Sequence, residues 1–287
     1  MGLLNFDFVE NNIDVLKDNF ANNDQPHVII DDVLNDTPDK RKLLDEIQDS
    51  TMIDRMKLYS FLSSRSYETL GRDSVPPHAS SLIEELTSDR FIKCMEEITG
   101  FKGIVPDKSV ATGGLVFIPK NSFGGLHLDD RGHPFNSNLA RRFTLLIYLN
   151  EGWTEDKGGF LELWDMKKKL LTKKVLPSLG KLILFDCDEL VHSVATVKGE
   201  DGNIRKAITI WYYYECENAP FRPSLYFSRP GSGIKNKVLI FGVNCAYVSY
   251  LYLKRKLKFN DDLVVNVLKR LDYIFSGKKK TDRATKE

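Results

Sequence analysis

The chain reads as an α+β protein, a core of short antiparallel strands preceded by helices and followed by a helical extension. Three observations predict it. Between Gly100 and Pro223, short apolar runs alternate with Gly, Pro and Asp turns and no helical periodicity separates them, which argues for an antiparallel sandwich or barrel rather than a parallel sheet. Before Gly100 and after Pro223 the apolar residues recur instead at helical spacing. Residues 1–100 are therefore read as a helical region packed on the barrel, 101–223 as the core domain, and 224–287 as a C-terminal extension with a basic tail.

In chain order, Phe8, Val9, Ile13, Leu16 and Phe20 fit one helical face, and residues 27–34 read as a buried strand with an acidic end. Thr37-Pro38 is a cap followed by a proline at the first turn, and Leu43, Leu44 and Ile47 give that helix an apolar stripe. Ser81-Leu82-Ile83-Glu84 has the pattern of a capping box, predicting a helix from Ser81 through Leu86, Phe91, Met95 and Ile98 to Gly100. Strands are predicted over 110–118, 143–149, 159–164, 181–185, 191–197 and 205–214. The polar turn 198–203, with Gly199 and Gly202, reads as a hairpin tip that holds its flanking strands in register. Residues 130–140 form a rim loop, where substrate choice would reside.

Beyond Pro223, residues 238–253 are apolar apart from Asn244 and Ser249 and are bracketed by basic residues. A bilayer-spanning helix needs about 20 apolar residues, so a packed helix is favoured over one lying on a membrane surface or docking a partner. Asn260 then caps a last helix with Asp261 and Asp262 in its first turn, an apolar face of Leu263, Val264, Val267, Leu268, Leu271, Ile274 and Phe275, and a stop at Gly277. Residues 278–287 read as a disordered tail.

At 287 residues, 42% of them hydrophobic and 28% charged, the chain has the composition of a soluble globular protein. Its net charge of +1 hides an asymmetry: from Lys235 onward there are 13 Lys and Arg against 5 Asp and Glu, and before it 28 against 35. The basic tail lacks aromatic interleaving or a nucleic-acid motif, so no DNA or RNA partner is argued. Cys94, Cys187, Cys216 and Cys245 show no metal or disulfide spacing, and polar residues interrupt the first segment where a signal peptide would be apolar. Phe6 stands where a myristoylation signal wants Ser or Thr. These features favour the cytoplasm.

The chemistry concentrates between His127 and Trp211. His127 and Asp129, two apart on an extended segment, project to the same side, so one imidazole and one carboxylate can grip one ion. His192 ends another strand-like run and can supply a third ligand if the sheet folds back. Two histidines and one carboxylate on one face leave about three open coordination positions, the facial arrangement of non-haem Fe(II) oxygenases. Arg205, Ala207, Thr209 and Trp211 share a strand face, and a guanidinium among apolar neighbours calls for an anion.

His127-Leu128-Asp129, the run from Arg142 to Asn150, Gly152-Trp153, the run from Gly158 to Trp164, His192 and the run from Arg205 to Trp211 together resemble the Fe(II)/2-oxoglutarate-dependent dioxygenases, and within them the prolyl 4-hydroxylase-like group. The resemblance covers roughly the middle third of the chain and implies a double-stranded β-helix, a jelly-roll-like barrel. It implies that His127, Asp129 and His192 hold Fe(II), that Arg205 and Tyr148 bind the distal carboxylate of 2-oxoglutarate, and that Thr209 and Trp211 line the pocket. It allows ascorbate as an accessory reductant. The reaction implied is hydroxylation of an unactivated C–H bond, with a prolyl residue in a peptide or protein as the leading substrate. Free amino acids, sugars and other small molecules are the alternatives. Asp129 argues for hydroxylation, because related halogenases lack the carboxylate. The turn at 198–203 is longer than in close members of the group, and the assignment of Arg205 depends on the register across it.

Plainer roles compete. His27, His78 and His133 read as ordinary histidines, although His133 falls in the rim loop. Arg141 and Arg142 point to opposite faces, and both read as salt-bridged or solvated. Asp130 rivals Asp129 only across a bulge. The aromatic run from Trp211 to Tyr214 reads as packing. A non-catalytic barrel used for binding would not need the three ligands together with Arg205, and a zinc hydrolase would leave Arg205 and Tyr148 without a role.

Overall fold

The computed structural model describes residues 2–257, apart from 62, 63, 70, 111, 112, 134, 135, 218, 220 and 221. In chain order it runs α1 (Phe6–Asn11), α2 (Ile13–Ala21), β1 (His27–Ile30), α3 (Pro38–Gln48), β2 (Lys57–Phe61), β3 (Ser64–Glu68), α4 (Pro77–Leu86), α5 (Asp89–Thr99) and β4 (Ile104–Pro106). It continues through β5 (Gly114–Pro119), β6 (Gly124–Leu128), β7 (Leu139–Tyr148), β8 (Leu161–Asp165), β9 (Leu170–Val175), β10 (Leu182–Asp186), β11 (Val191–Val194), β12 (Ile204–Glu215), β13 (Leu225–Tyr226) and α6 (Ile234–Leu257). The predicted helix capped by Asn260 and the tail after it lie outside the described residues.

The strands form two antiparallel sheets. The larger has the order β1-β10-β7-β12-β5-β3-β2, with β4 also on β12; the smaller has the order β13-β6-β11-β8-β9. From β5 to β12 the chain passes back and forth between the two, which is the winding of a double-stranded β-helix. Each sheet is open, the larger ending on β1 and β2 and the smaller on β13 and β9.

The predicted helices cover the larger sheet. Leu43, Leu44 and Ile47 of α3, Leu82, Ile83 and Leu86 of α4, and Phe91, Met95 and Ile98 of α5 share one apolar core with Leu145 and Ile147 of β7 and Ile208 and Ile210 of β12. Each such side chain, fully buried, stabilises by about 1.5–3 kcal/mol. Thr37 caps α3 as expected, its side chain accepting from the Lys40 amide. A second apolar cluster, with Ile118, Leu161, Leu163, Phe185 and Ala207, lies between the sheets.

Several boundaries differ from the sequence reading. The first helix is broken at Asn12, and Phe8 is exposed while Val9, Leu16 and Phe20 are buried. The strand from His27 stops at Ile30, because Asp32 takes a left-handed turn (φ 52°). Ser81 is no cap: its hydroxyl donates back to the Pro77 carbonyl inside α4, and the helix begins at Pro77. Ser88 instead starts a separate helix, its hydroxyl accepting from the Phe91 amide, and left-handed Gly100 ends it as predicted. The strand foreseen from Val110 starts at Gly114, Val110 itself having φ 51°. That foreseen over 191–197 ends at Val194, after which Ala195 and Val197 donate to Phe160 and Ser122.

The turn at 198–203 is not a hairpin tip. Its flanking strands, β11 and β12, belong to different sheets, and the turn crosses between them. The register of Arg205 is set elsewhere, by pairing of β12 with β5, where Arg205 faces Ile118, and with β7, where Ala207 faces Tyr148. Unforeseen were the β2–β3 hairpin and β9. Both carry the alternation of a strand, but their polar residues are too many for an apolar run to stand out.

Candidate metal centre and anion pocket

β6 and β11 pair antiparallel with His127 directly opposite His192, so the two imidazoles come together as a cross-strand pair with ring centroids 4.3 Å apart. Asp129 follows just after the end of β6. Its Oδ1 lies 3.3 Å from His127 Nε2 and 3.9 Å from His192 Nε2. Each residue offers one donor atom, all within 4.8 Å of one another, a set that can hold a metal ion. The predicted convergence of all three is thus observed.

The surroundings fix these donors. His127 Nδ1 donates to the Gly125 carbonyl at 2.7 Å and His192 Nδ1 to that of Leu190 at 3.3 Å, which turns both Nε2 atoms toward Asp129. Burial opposes the charged form of His127, but Asp129 outweighs it and raises that imidazole's pKa, so an arriving metal ion would displace its proton. The other Asp129 oxygen accepts from Thr144 Oγ1 at 2.8 Å, and the buried Cys187 thiol touches the same hydroxyl at 2.9 Å. Burial works against ionisation of Asp129, yet His192, His127 and Arg141 outweigh it and hold the carboxyl well below its usual range. Burial, aided by the neighbouring His127, lowers His192 to about 4, so that ring is neutral at physiological pH. A carboxylate anion and neutral imidazole nitrogens are the states a divalent ion needs.

The three donors face a cavity of about 360 Å³, which Arg205, Thr209 and Trp211 of β12 also line, their alternation carrying them to one face as foreseen. Arg205 is only 1% exposed. Its Nε donates to the Gly159 carbonyl at 2.9 Å and a terminal nitrogen to the Tyr148 hydroxyl at 3.2 Å. Among the described residues no carboxylate lies within ion-pair distance of it. Burial accordingly lowers its pKa, against the opposing pull of Tyr148. Gly159 permits this packing: at φ 68°, a side chain there would stand 3.2 Å from Arg205 Cδ. Tyr148, fully buried, touches Arg205 but is not among the residues lining the cavity.

The remaining sequence candidates fall outside. Asp130 is tied to buried Arg141, whose guanidinium stacks 4.0 Å above the Trp211 ring. Arg142 pairs with Asp186 and Asp188. His27 bonds the Gln25 carbonyl, His78 pairs with Glu46, and His133 packs edge-on to Tyr213. Tyr212 points away into the helical core, its hydroxyl donating to the Leu86 carbonyl.

Several contributors escaped the sequence reading. Thr144 sits inside an apolar strand, and only the fold brings it to Asp129. Tyr226 stacks on His127 with centroids 5.9 Å apart, and Tyr59, Ser64, Ser66 and Glu68 of the β2–β3 hairpin close another wall of the cavity. Alternation along residues 57–68 could have revealed that hairpin, but nothing in it names the site it faces.

A double-stranded β-helix thus brings two histidines, a carboxylate and a buried guanidinium with no carboxylate partner among the described residues to one cavity, a set that can take a metal ion and an anion. Residues 114–213, about a third of the chain, match the family described as the 2OG-Fe(II) oxygenase superfamily. The chain is 33% identical over 96 residues to the Mus musculus protein "Prolyl 3-hydroxylase OGFOD1", a stretch that spans 32% of this chain and 17% of the relative. A crystal structure of prolyl 4-hydroxylase from Phytophthora capsici superposes with a TM-score of 0.52 at 24% identity, covering 75% of this chain and 67% of that one, a likeness of fold. Among the described residues, no helix is long and apolar enough to cross a membrane.

Proposed function

We propose that the protein is an Fe(II)- and 2-oxoglutarate-dependent dioxygenase that hydroxylates an unactivated C–H bond of a prolyl residue in a peptide or protein. The observation that carries this reading is the buried cation without a carboxylate partner, Arg205, facing the same cavity as the three metal donors. A metal site alone would not require it. An anion that ligates metal at one end and carries a second carboxylate at the other would neutralise it.

His127, Asp129 and His192 would hold the iron, and Arg205, with Thr209 beside it and Tyr148 behind it, would hold the distal carboxylate of 2-oxoglutarate. When bound, iron and 2-oxoglutarate supply oxidation of the C–H bond by dioxygen. The protein's part is positional. Gly125 and Leu190 orient the imidazoles, and Thr144 anchors the carboxylate. Val116, Ile118, Leu146, Leu161 and Val194 give the cavity apolar walls that exclude water. Arg205 offers a planar fork of donors to a carboxylate, already held by Gly159 and Tyr148. The mouth between the β2–β3 hairpin and Tyr226 is where the substrate would lie.

A prolyl substrate is supported by the 96-residue similarity to the mouse relative, within the part of the chain that carries the site. Four cysteines without disulfides suit a reducing compartment such as the cytoplasm. The test is anaerobic titration of the metal-free protein with Fe(II) and 2-oxoglutarate, following the visible charge-transfer band of the chelate. The expected result is a band in the wild type that weakens in Arg205→Ala while metal binding persists. Metal uptake with no band would overturn the assignment of 2-oxoglutarate.

A further inference from the structure

The mouth of the cavity holds a charge that the metal centre does not use. Alternation along β3 turns Ser64, Ser66 and Glu68 to the cavity, and Tyr59 of β2, directly opposite Ser66 in the register, lines it beside them. Glu68 accepts from the Ser66 hydroxyl at 3.1 Å. Among the described residues no cation lies within ion-pair distance of it. Lys57 faces Glu68 across the strand pair, but its Nζ lies over the Tyr59 ring, 5.1 Å from the centroid. Burial raises the Glu68 pKa against the pull of the Ser66 hydroxyl and Lys57, and burial together with Glu68 pushes the Tyr59 hydroxyl up to about 12. Tyr226 lines the same cavity, its hydroxyl raised chiefly by burial, with Glu68 among the charges that add to it. Glu68 therefore stands within electrostatic reach of two neutral phenol rings.

We propose that Glu68, together with the rings of Tyr59 and Tyr226, receives a basic side chain of the substrate, a lysine or arginine that flanks the hydroxylated residue; this rests on the function proposed above. Charge selects a cation. In the loaded site a divalent ion and the 2-oxoglutarate dianion cancel, Asp129 cancels Arg205, and Asp130 is paired with Arg141. Glu68 is the lining charge left over, and a half-buried carboxylate without a counter-charge favours an arriving cation. The rings select an organic one. A phenol face attracts an ammonium or guanidinium through its quadrupole, and Lys57 already makes that contact from within the chain. Position selects a flanking residue, because Glu68 belongs to the hairpin wall at the mouth, while the reacting carbon must lie at the metal donors. An acidic residue at the same place in a substrate would be repelled, so the one carboxylate both attracts and excludes.

The probes are short prolyl peptides, acetylated and amidated, that carry lysine, norleucine or glutamate at one position flanking the proline. Their binding to the full chain loaded with Fe(II) and 2-oxoglutarate is measured by calorimetry under nitrogen, and the charge-transfer band of the chelate is read in every sample as the control for an intact metal site. The lysine peptide is expected to bind about tenfold more tightly than the norleucine peptide, and the glutamate peptide more weakly than either. In Glu68→Gln, which still accepts from Ser66, the preference should vanish; in Glu68→Lys it should turn toward the glutamate peptide. Lys57→Met should tighten binding of the lysine peptide, since the chain's own competing cation is gone. With the band present, equal binding of the peptides, binding of none, or a lysine preference that survives Glu68→Gln would overturn the proposal. A preference shown only when the acetyl group is removed would also overturn it, assigning Glu68 to an amino terminus. Absence of the band in the wild type would instead overturn the reading on which the proposal rests.

Discussion

At the His127 end of the cavity the polar groups answer one another from within the chain: Asp129 faces two imidazoles and accepts from Thr144, and each imidazole is oriented by a carbonyl. At the Arg205 end a positive charge, buried more deeply, is met by a carbonyl and a phenol. The first end is complete enough to stand without its ion. A buried cation held only by neutral groups detracts from stability until an anion meets it, and on the function proposed above that anion is 2-oxoglutarate.

The largest expected effect breaks the self-balanced end. Asp129→Ala removes the only anion among the three donors, and Fe(II) affinity measured by equilibrium dialysis should fall by roughly 100-fold or more. Arg205→Met attacks the other end and should split two readouts. Affinity for 2-oxoglutarate drops by about 100-fold, while the ligand-free protein gains about 1–3 kcal/mol in urea unfolding, because an unneutralised buried charge is replaced by a side chain that packs. A loss of stability instead would show that Arg205 has counter-charge enough already.

Gly159→Ala leaves every charge in place but forces a side chain into φ 68° and against Arg205. A cost of about 1–3 kcal/mol in stability is expected, with weaker 2-oxoglutarate binding and unchanged metal affinity. Thr144→Val keeps the shape of the other end and removes one donor to Asp129; metal affinity should fall about tenfold with 2-oxoglutarate binding following it.

A histidine outside the cavity provides the smallest effect and a control. Burial depresses His27 below 6.5, against the Gln25 carbonyl that favours its charged form. The unfolded chain then takes the proton first as pH falls. Stability attributable to His27 is therefore full above pH 6.5 and is lost below it, and His27→Gln should flatten that part of a urea-stability profile without altering metal uptake.

The sequence disclosed the facing of His127, Asp129 and Arg205 because their spacing is local. His127 and Asp129 share a face through strand alternation, and Arg205, Thr209 and Trp211 do so along one strand. It also disclosed the apolar stripes of α3 and α5, and the antiparallel class of the core. It erred where a local signal had competing uses. The Ser81 pattern mimics a cap, but Pro77 begins the helix four residues earlier. Two glycines around a polar turn suggest a hairpin, yet the strands on either side belong to different sheets.

What the amino-acid sequence determined by itself, then, is the identity and the facing of each reactive side chain, since both follow from periodicities of two and 3.6 residues. Tertiary structure alone decided which strands became neighbours. That pairing set His192 opposite His127, brought Thr144 to Asp129 and Tyr226 to His127, and buried Arg205 with no carboxylate within ion-pair distance among the described residues. Such contacts join residues from 15 to 99 positions apart in the sequence. No local periodicity spans that distance. Only the burial of apolar faces between two sheets, which is indifferent to separation along the chain, selects them.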